Sequence, residues 1–133
     1  MDFRLKECLE ALGQNKVVIS DEEKKDTIIE KMLDSFPPTL WGSISWKEVE
    51  DKISIKKIDE ISFYLDKYSK KNPHAIYIIW HEADLPIVKT NFKNILDNLF
   101  DVKEVSCDTW LYSPEDNWVI EFHHDGNITI GFK

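Results

Sequence analysis

The fold is indicated most clearly by residues 105–132, VSCDTWLYSPEDNWVIEFHHDGNITIGF. Three runs rich in β-branched and aromatic residues are separated there by two polar segments, Ser113-Pro114-Glu115-Asp116 and His124-Asp125-Gly126-Asn127. Such segments are typical of tight turns, because Pro, Gly, Asn and Asp adopt or stabilise the backbone angles that turns require. The stretch therefore predicts a three-stranded antiparallel meander.

The preceding residues predict helices and one buried strand. Apolar residues recur at intervals of three and four, which predicts helices over residues 3–12, 21–36, 55–68 and 87–99. Ser20 followed by Glu23 has the spacing of a capping box ahead of the second helix, and Asn72-Pro73 should end the third. Residues 39–45 predict a loop and residues 46–53 a turn of helix. Residues 75–80, AIYIIW, predict a central strand covered on both faces.

The order of these elements predicts the fold class. A strand, a helix and another strand between residues 75 and 112 favour a crossover that gives a parallel pair. We therefore expect an α+β fold, in which a helical N-terminal half packs with a mixed, mostly antiparallel sheet that ends in the meander. The length of 133 residues favours one domain, residues 1–133.

Composition restricts the partners and the compartment. The net charge of −8, from 25 acids and 17 bases, disfavours nucleic acids and anionic membranes and favours a basic partner, although acidic surfaces also simply keep proteins in solution. No apolar run has the ~20 residues of a membrane span, and no secretory signal is present, so the cytoplasm is the predicted compartment. Cys8 and Cys107 are far apart and predict buried, reduced thiols.

Alternation along the meander divides its side chains between two faces. One face is apolar and predicts a core covered by the fourth helix. The other face carries Asp108, Trp110, Tyr112, Glu121 and His123. Either the N-terminal helices cover this second face, and each polar group has a partner inside the protein, or the face is exposed as a binding surface. The sequence leaves both interpretations open.

The sequence does not predict catalysis or a cofactor. His123 with Glu121 or Asp108 has the composition of an acid–base pair. However, no nucleophile elbow, glycine-rich phosphate loop or nearby basic residue accompanies them. Residues 81–84 and 123–125 contain histidines and acids, but neither segment has the spacing of a metal site, so no metal is predicted.

Several segments carry a resemblance to a known family: Asp108-Thr109-Trp110, Val119-Ile120-Glu121-Phe122, Gly126 with residues 128–132 and, more weakly, Ile78-Ile79-Trp80 and Leu85-Pro86. Over roughly the last 60 residues the chain resembles small bacterial immunity proteins found beside contact-dependent growth inhibition and other polymorphic toxins. The resemblance implies a cytoplasmic protein that binds a toxin domain, often a nuclease, delivered by a neighbouring cell, and blocks its active site or its substrate.

The leading hypothesis is a non-enzymatic immunity protein that binds and neutralises a basic toxin domain stoichiometrically. Its predicted contacts are the acids and aromatics of the meander and of residues 81–84, namely Glu82, Asp84, Asp108, Trp110, Tyr112, Glu115, Asp116, Glu121 and His123. The alternative is an adaptor or regulatory module with an unrelated protein partner, in which the second face is covered and the acidic charge only keeps the protein in solution.

Overall fold

A computed structural model describes residues 3–39, 43–68 and 75–133 of the chain. The helices are α1 (Phe3–Leu12), α2 (Glu22–Ser35), α3 (Asp59–Tyr68), α4 (Phe92–Asp97) and α5 (Leu99–Lys103). The strands are β1 (Lys16–Ile19), β2 (Asp51–Ile55), β3 (Ile76–Trp80), β4 (Ile87–Thr90), β5 (Thr109–Ser113), β6 (Trp118–Phe122) and β7 (Ile128–Phe132). A 3-10 helix, Trp46–Glu48, precedes β2. Residues 40–42 of the predicted loop and the predicted helix end at Asn72-Pro73 lie outside the described residues.

The strands form one seven-stranded sheet in the order β1-β4-β3-β5-β6-β7-β2. Neighbouring strands in this sheet are antiparallel throughout the described part of the chain. The α+β class and the C-terminal meander β5-β6-β7 are therefore confirmed. The two outer strands, β1 and β2, both come from the first half of the chain, which the sequence had predicted to be helical.

The predicted parallel pair is wrong because the sequence analysis missed a strand. β4 follows β3 and pairs with it antiparallel, so the chain has already reversed direction before α4 begins. The helices then carry the chain across β3 to β5, which pairs antiparallel with the other side of β3. The crossover therefore joins β4 and β5, which flank β3 and are not neighbours.

Two predicted helices begin too early for a related reason. Residues 51–55 form β2, which pairs with β7 over its whole length, so α3 starts only at Asp59. Residues 87–90 form β4, which lies between β1 and β3, and α4 starts only at Phe92. The apolar residues of these short strands also fit a helical spacing, so only their pairing with other strands distinguishes them from helix.

The sheet is covered on both faces by hydrophobic clusters. On the first face, side chains of α1, α3, α4 and α5 pack against Leu111, Trp118 and Ile120. On the second face, Met32 of α2 and the chain that follows it pack against Trp110 and Tyr112. The meander strands therefore lie between two layers, and all residues of β5 and β6 are buried.

Two local predictions need correction. Asp21, not Ser20, caps α2: its carboxylate accepts a 3.0 Å hydrogen bond from the Lys24 amide. Cys8 is buried as predicted, but Cys107 is exposed, because β5 begins only at Thr109 and Cys107 lies in the connection before it.

Among the described residues, no helix combines the length and the apolar character that a membrane span needs.

Candidate functional site

The second face of the meander is covered by the protein itself. Trp110 is 5% exposed and Tyr112 is 1% exposed, under a cluster that includes Met32, Phe36 and Ile44. Burial raises the pKa of the Tyr112 phenol. Of the two interpretations left open by the sequence, the structure therefore shows the internal one for this part of the face.

Glu121 has the partners that a buried carboxylate requires. Its Oε1 accepts a 2.8 Å hydrogen bond from the Trp46 indole, and its Oε2 accepts bonds from the Trp110 indole at 2.8 Å and from the Ile44 amide at 3.2 Å. These donors come from β5 and from the segment that covers the face. Glu121 therefore holds residues 44–46 against the sheet.

Asp108 joins two loops at one end of the sheet. Its side chain is 10% exposed, and its Oδ1 accepts a 2.7 Å hydrogen bond from the His124 amide and lies 3.0 Å from His124 Nδ1. Its backbone carbonyl accepts a 3.1 Å hydrogen bond from the His81 amide. The segment after β3 and the turn between β6 and β7 therefore meet at Asp108.

Lys25 holds the segment that follows β3 in place. Although α2 carries it, the lysine is 4% exposed, and its ammonium donates hydrogen bonds to the carbonyls of Ala83 at 2.9 Å and Leu85 at 3.0 Å. It also lies 3.1 Å from the exposed carboxylate of Glu22. Because both carbonyls point at the ammonium, residues 83–85 are held in one conformation.

We call this part of the surface the acidic end; it comprises residues 81–84, 106–108 and 123–127. Glu82 and Asp84 are exposed there, and within the described residues neither carboxylate forms an ion pair. Asp125 is also exposed, and the hydrogen bond from the Asn127 amide holds the pKa of its carboxyl below the usual range. The acidic end therefore presents negative charge to solvent.

An open groove of about 680 Å³ borders the acidic end. Its wall includes Phe3, which is 73% exposed, as well as Glu82 and His124. Of its two cationic side chains, Arg4 lies 3.8 Å from the Glu104 carboxylate and Lys103 lies over the Phe122 ring. The groove thus combines an exposed aromatic ring with the exposed carboxylate of Glu82.

The other predicted contact residues lie elsewhere. Glu115 and Asp116 belong to the turn between β5 and β6, at the opposite end of those strands. Five strand residues separate the two ends, a distance of roughly 16 Å. The structure therefore brings Glu82, Asp84, Asp108 and His123 to one end, and places Trp110, Tyr112 and Glu121 inside.

The acid–base pairs considered from the sequence are arranged differently in the structure. The hydrogen bonds of the Glu121 carboxylate go to tryptophans and an amide, while His123 Nδ1 lies 2.9 Å from Asp125 Oδ1. Asp108 contacts His124 instead of His123. These contacts stabilise loops and a covering segment, which is what a rigid binding surface needs.

Sequence reasoning missed three residues that define this region. Lys25 lies on the same helical stripe as Ile28 and Met32, and a lysine at such a position is a signal of a buried ammonium. Phe3 lies off the Leu5 stripe of α1, which indicates an exposed aromatic ring. The role of Trp46 has no local signal, because its partner Glu121 is 75 residues away.

Comparison with known proteins gives one result for almost the whole chain. The sequence model of a family described as CdiI immunity protein EcoliA0-like matches residues 1–131. No curated protein matches the chain. The family match includes the N-terminal half, to which the resemblance noted in the sequence did not extend.

Proposed function

Because the chain belongs to the CdiI immunity protein family, EcoliA0-like, we propose that it neutralises a nuclease toxin domain by binding it one-to-one through the acidic end. Family membership identifies a toxin-neutralising immunity protein of contact-dependent growth inhibition. The nuclease character of the toxin, the stoichiometry and the surface are our proposal. So is the compartment, the cytoplasm of the cell that makes the protein.

Charge supports a basic partner at this surface. The chain carries a net charge of −8, and the carboxylates of Glu82 and Asp84 are exposed and form no ion pair with the described residues. Nucleases present basic groups where they hold the phosphate backbone. Opposite charges at the two surfaces increase the association rate and restrict the choice of partner.

Shape and rigidity support the same surface. Lys25 fixes residues 83–85 and Asp108 fixes the neighbouring turn, so little conformational entropy is lost when a partner binds. Phe3 supplies an exposed aromatic ring beside the acids. We propose that it takes the anchoring role that the sequence had suggested for Trp110 and Tyr112.

The buried residues among the predicted contacts have an indirect part in this proposal. Asp108 and Glu121 position the turn and the covering segment, and Trp110 and Tyr112 fill the space beneath that segment. We place His123 at the contact, since it is only partly buried at the acidic end. Glu115 and Asp116, at the opposite end, are the competing surface.

An adaptor with an unrelated partner is compatible with the covered second face. Family membership favours the immunity protein instead, because membership of an immunity protein family implies a toxin as the target. We expect stoichiometric binding and no turnover.

The decisive experiment uses the toxin domain encoded by the gene immediately upstream. We expect isothermal titration calorimetry to give one immunity protein per toxin, and the nuclease activity of the toxin to disappear at equimolar protein. Inhibition that progresses with time at a small fraction of the toxin concentration would instead indicate an enzyme. Absence of binding would refute the proposal.

A further inference from the structure

Three potential metal ligands converge at the acidic end. Asp108, His123 and His124 each offer one ligand atom, and these atoms lie within 4.8 Å of one another. The sequence does not reveal this set, because Asp108 lies 16 residues before His124 and reaches it only through the pairing of β5 with β6.

We propose that Asp108, His123 and His124 bind one Zn²⁺ ion. Imidazole nitrogens and a carboxylate oxygen are ordinary ligands of this ion. Zinc–ligand bonds of about 2.0–2.1 Å at tetrahedral angles place ligand atoms about 3.3 Å apart. Asp108 Oδ1 and His124 Nδ1 are already 3.0 Å apart, and a ring nitrogen of His123 lies within 4.8 Å of the ligand atoms of the other two residues.

The surroundings of His123 fit a ligand role. Its Nδ1 lies 2.9 Å from Asp125 Oδ1, and a carboxylate at one ring nitrogen orients the imidazole so that the other nitrogen, Nε2, binds the metal. Asp125 is itself held by the Asn127 amide at 2.9 Å and the Asn127 side-chain amide at 2.9 Å. The second ligand shell is therefore in place before any ion binds.

The rest of the cluster is also held in position. The two imidazole centroids are 4.1 Å apart, and the Asp108 backbone is fixed through its hydrogen bond from His81. Three protein ligands leave a fourth position of a tetrahedral ion for water or for a group of another molecule. His124, whose side chain is 60% exposed, places that position at the surface.

The test measures zinc on the free protein, so it does not depend on any toxin. The metal-free chain carries Cys107→Ser, which removes an exposed thiol that lines the adjoining groove with His124. Zn²⁺ is titrated in competition with a chromogenic chelator. We expect one ion per chain and at least a tenfold weaker affinity in His123→Ala and in His124→Ala.

Two further variants make the result specific. His81→Ala removes a nearby histidine outside the set and should leave the affinity unchanged, whereas Asp125→Asn should weaken it about tenfold through the second shell. Circular dichroism should show that each metal-free variant is folded. No saturable binding, or equal affinity in His124→Ala and His81→Ala, would overturn the proposal.

Discussion

The Glu121 carboxylate accepts a 2.8 Å hydrogen bond from the indole of Trp46, a residue 75 positions earlier in the chain. Because Trp110 and the Ile44 amide donate to the same carboxylate, one side chain connects the sheet to the segment that covers it. The covering layer on this face is therefore held by one buried carboxylate as well as by apolar packing.

Replacing Glu121 should test that dependence. Glu121→Gln keeps the shape but turns an amide N–H₂ toward an existing donor, and we expect the free energy of unfolding to fall by about 2–4 kcal/mol. Urea denaturation followed by circular dichroism measures it. Glu115→Gln, at an exposed glutamate of the same meander, should change it by less than about 0.5 kcal/mol. Equal effects would show that the buried carboxylate is not needed.

Gly131 should tolerate no larger side chain. A Cβ there would lie 2.7 Å from Trp46 Cζ3 and 3.2 Å from Phe36 Cε1, so Gly131→Ala should displace Trp46 and cost about 1–3 kcal/mol. Gly126→Ala is the control: at φ +94° it strains the backbone, by about 1 kcal/mol, but meets no atom within 4 Å. The NMR signal of the Trp46 indole N–H should move only in Gly131→Ala; movement in both variants would contradict the contact.

Lys25→Met should loosen the segment after β3. The carbonyls of Ala83 and Leu85 lose their buried donor, at an expected cost of about 1–3 kcal/mol. Hydrogen exchange of amides in residues 83–85 should accelerate. Glu22→Gln removes only the carboxylate partner of Lys25, which is 74% exposed. It should change the free energy of unfolding and the hydrogen exchange little, because exposed ion pairs contribute little to stability. Unchanged exchange in Lys25→Met would show that the lysine does not hold residues 83–85 in place.

Charge reversal should show which end of the sheet meets the toxin. Glu82→Lys and Asp84→Lys are expected to slow association several-fold at low salt, since long-range attraction is weakened. Glu115→Lys reverses the charge of another exposed carboxylate, roughly 16 Å away at the opposite end of the meander strands. It should slow association less. Stopped-flow measurements over a salt series distinguish the two ends. A larger effect at Glu115 would move the interface there. Asp108 and Glu121 are unsuitable for this test because both are buried.

The two thiols should differ in reactivity. Burial raises the pKa of the Cys8 thiol to about 12 from its ordinary 9.0, so at pH 8 almost no reactive thiolate forms there. Ellman's reagent should therefore modify one thiol in the folded chain and two in urea, and none in folded Cys107→Ser. Rapid labelling of that variant would contradict a closed core around Cys8.

Because the folded chain holds the proton of the Cys8 thiol more tightly than the unfolded chain does, the free energy of unfolding should decrease as pH rises from about 9 through 12.

Local sequence predicts the elements whose stability is local. α1 has a single apolar stripe and the prediction of residues 3–12 matches it, while the alternation and turns of the meander identify β5 to β7. β2 and β4 were predicted as helix because short apolar runs fit either period. β2 pairs with β7 and β4 pairs with β1, both remote in sequence, although β4 also pairs with the preceding β3.

The candidate site was only partly predictable for the same reason. Glu82 and Asp84 are exposed acids in a loop, as the sequence indicated. The burial of Trp110 and Glu121 depends on how residues 43–49 fold back over the sheet. That segment has no periodic apolar pattern from which this burial could be predicted. The convergence of Asp108 with His124 likewise required the register of β5 with β6.

The edge position of β2 also sets an order of events during synthesis. Ile53 pairs with Ile130, so β2 leaves the ribosome long before its hydrogen-bonding partner does. Until then the strand has no neighbour, and unpaired strand edges expose a nascent chain to aggregation and to chaperones. A chain that ends before residue 128 lacks β7, and β2 then has no strand to pair with.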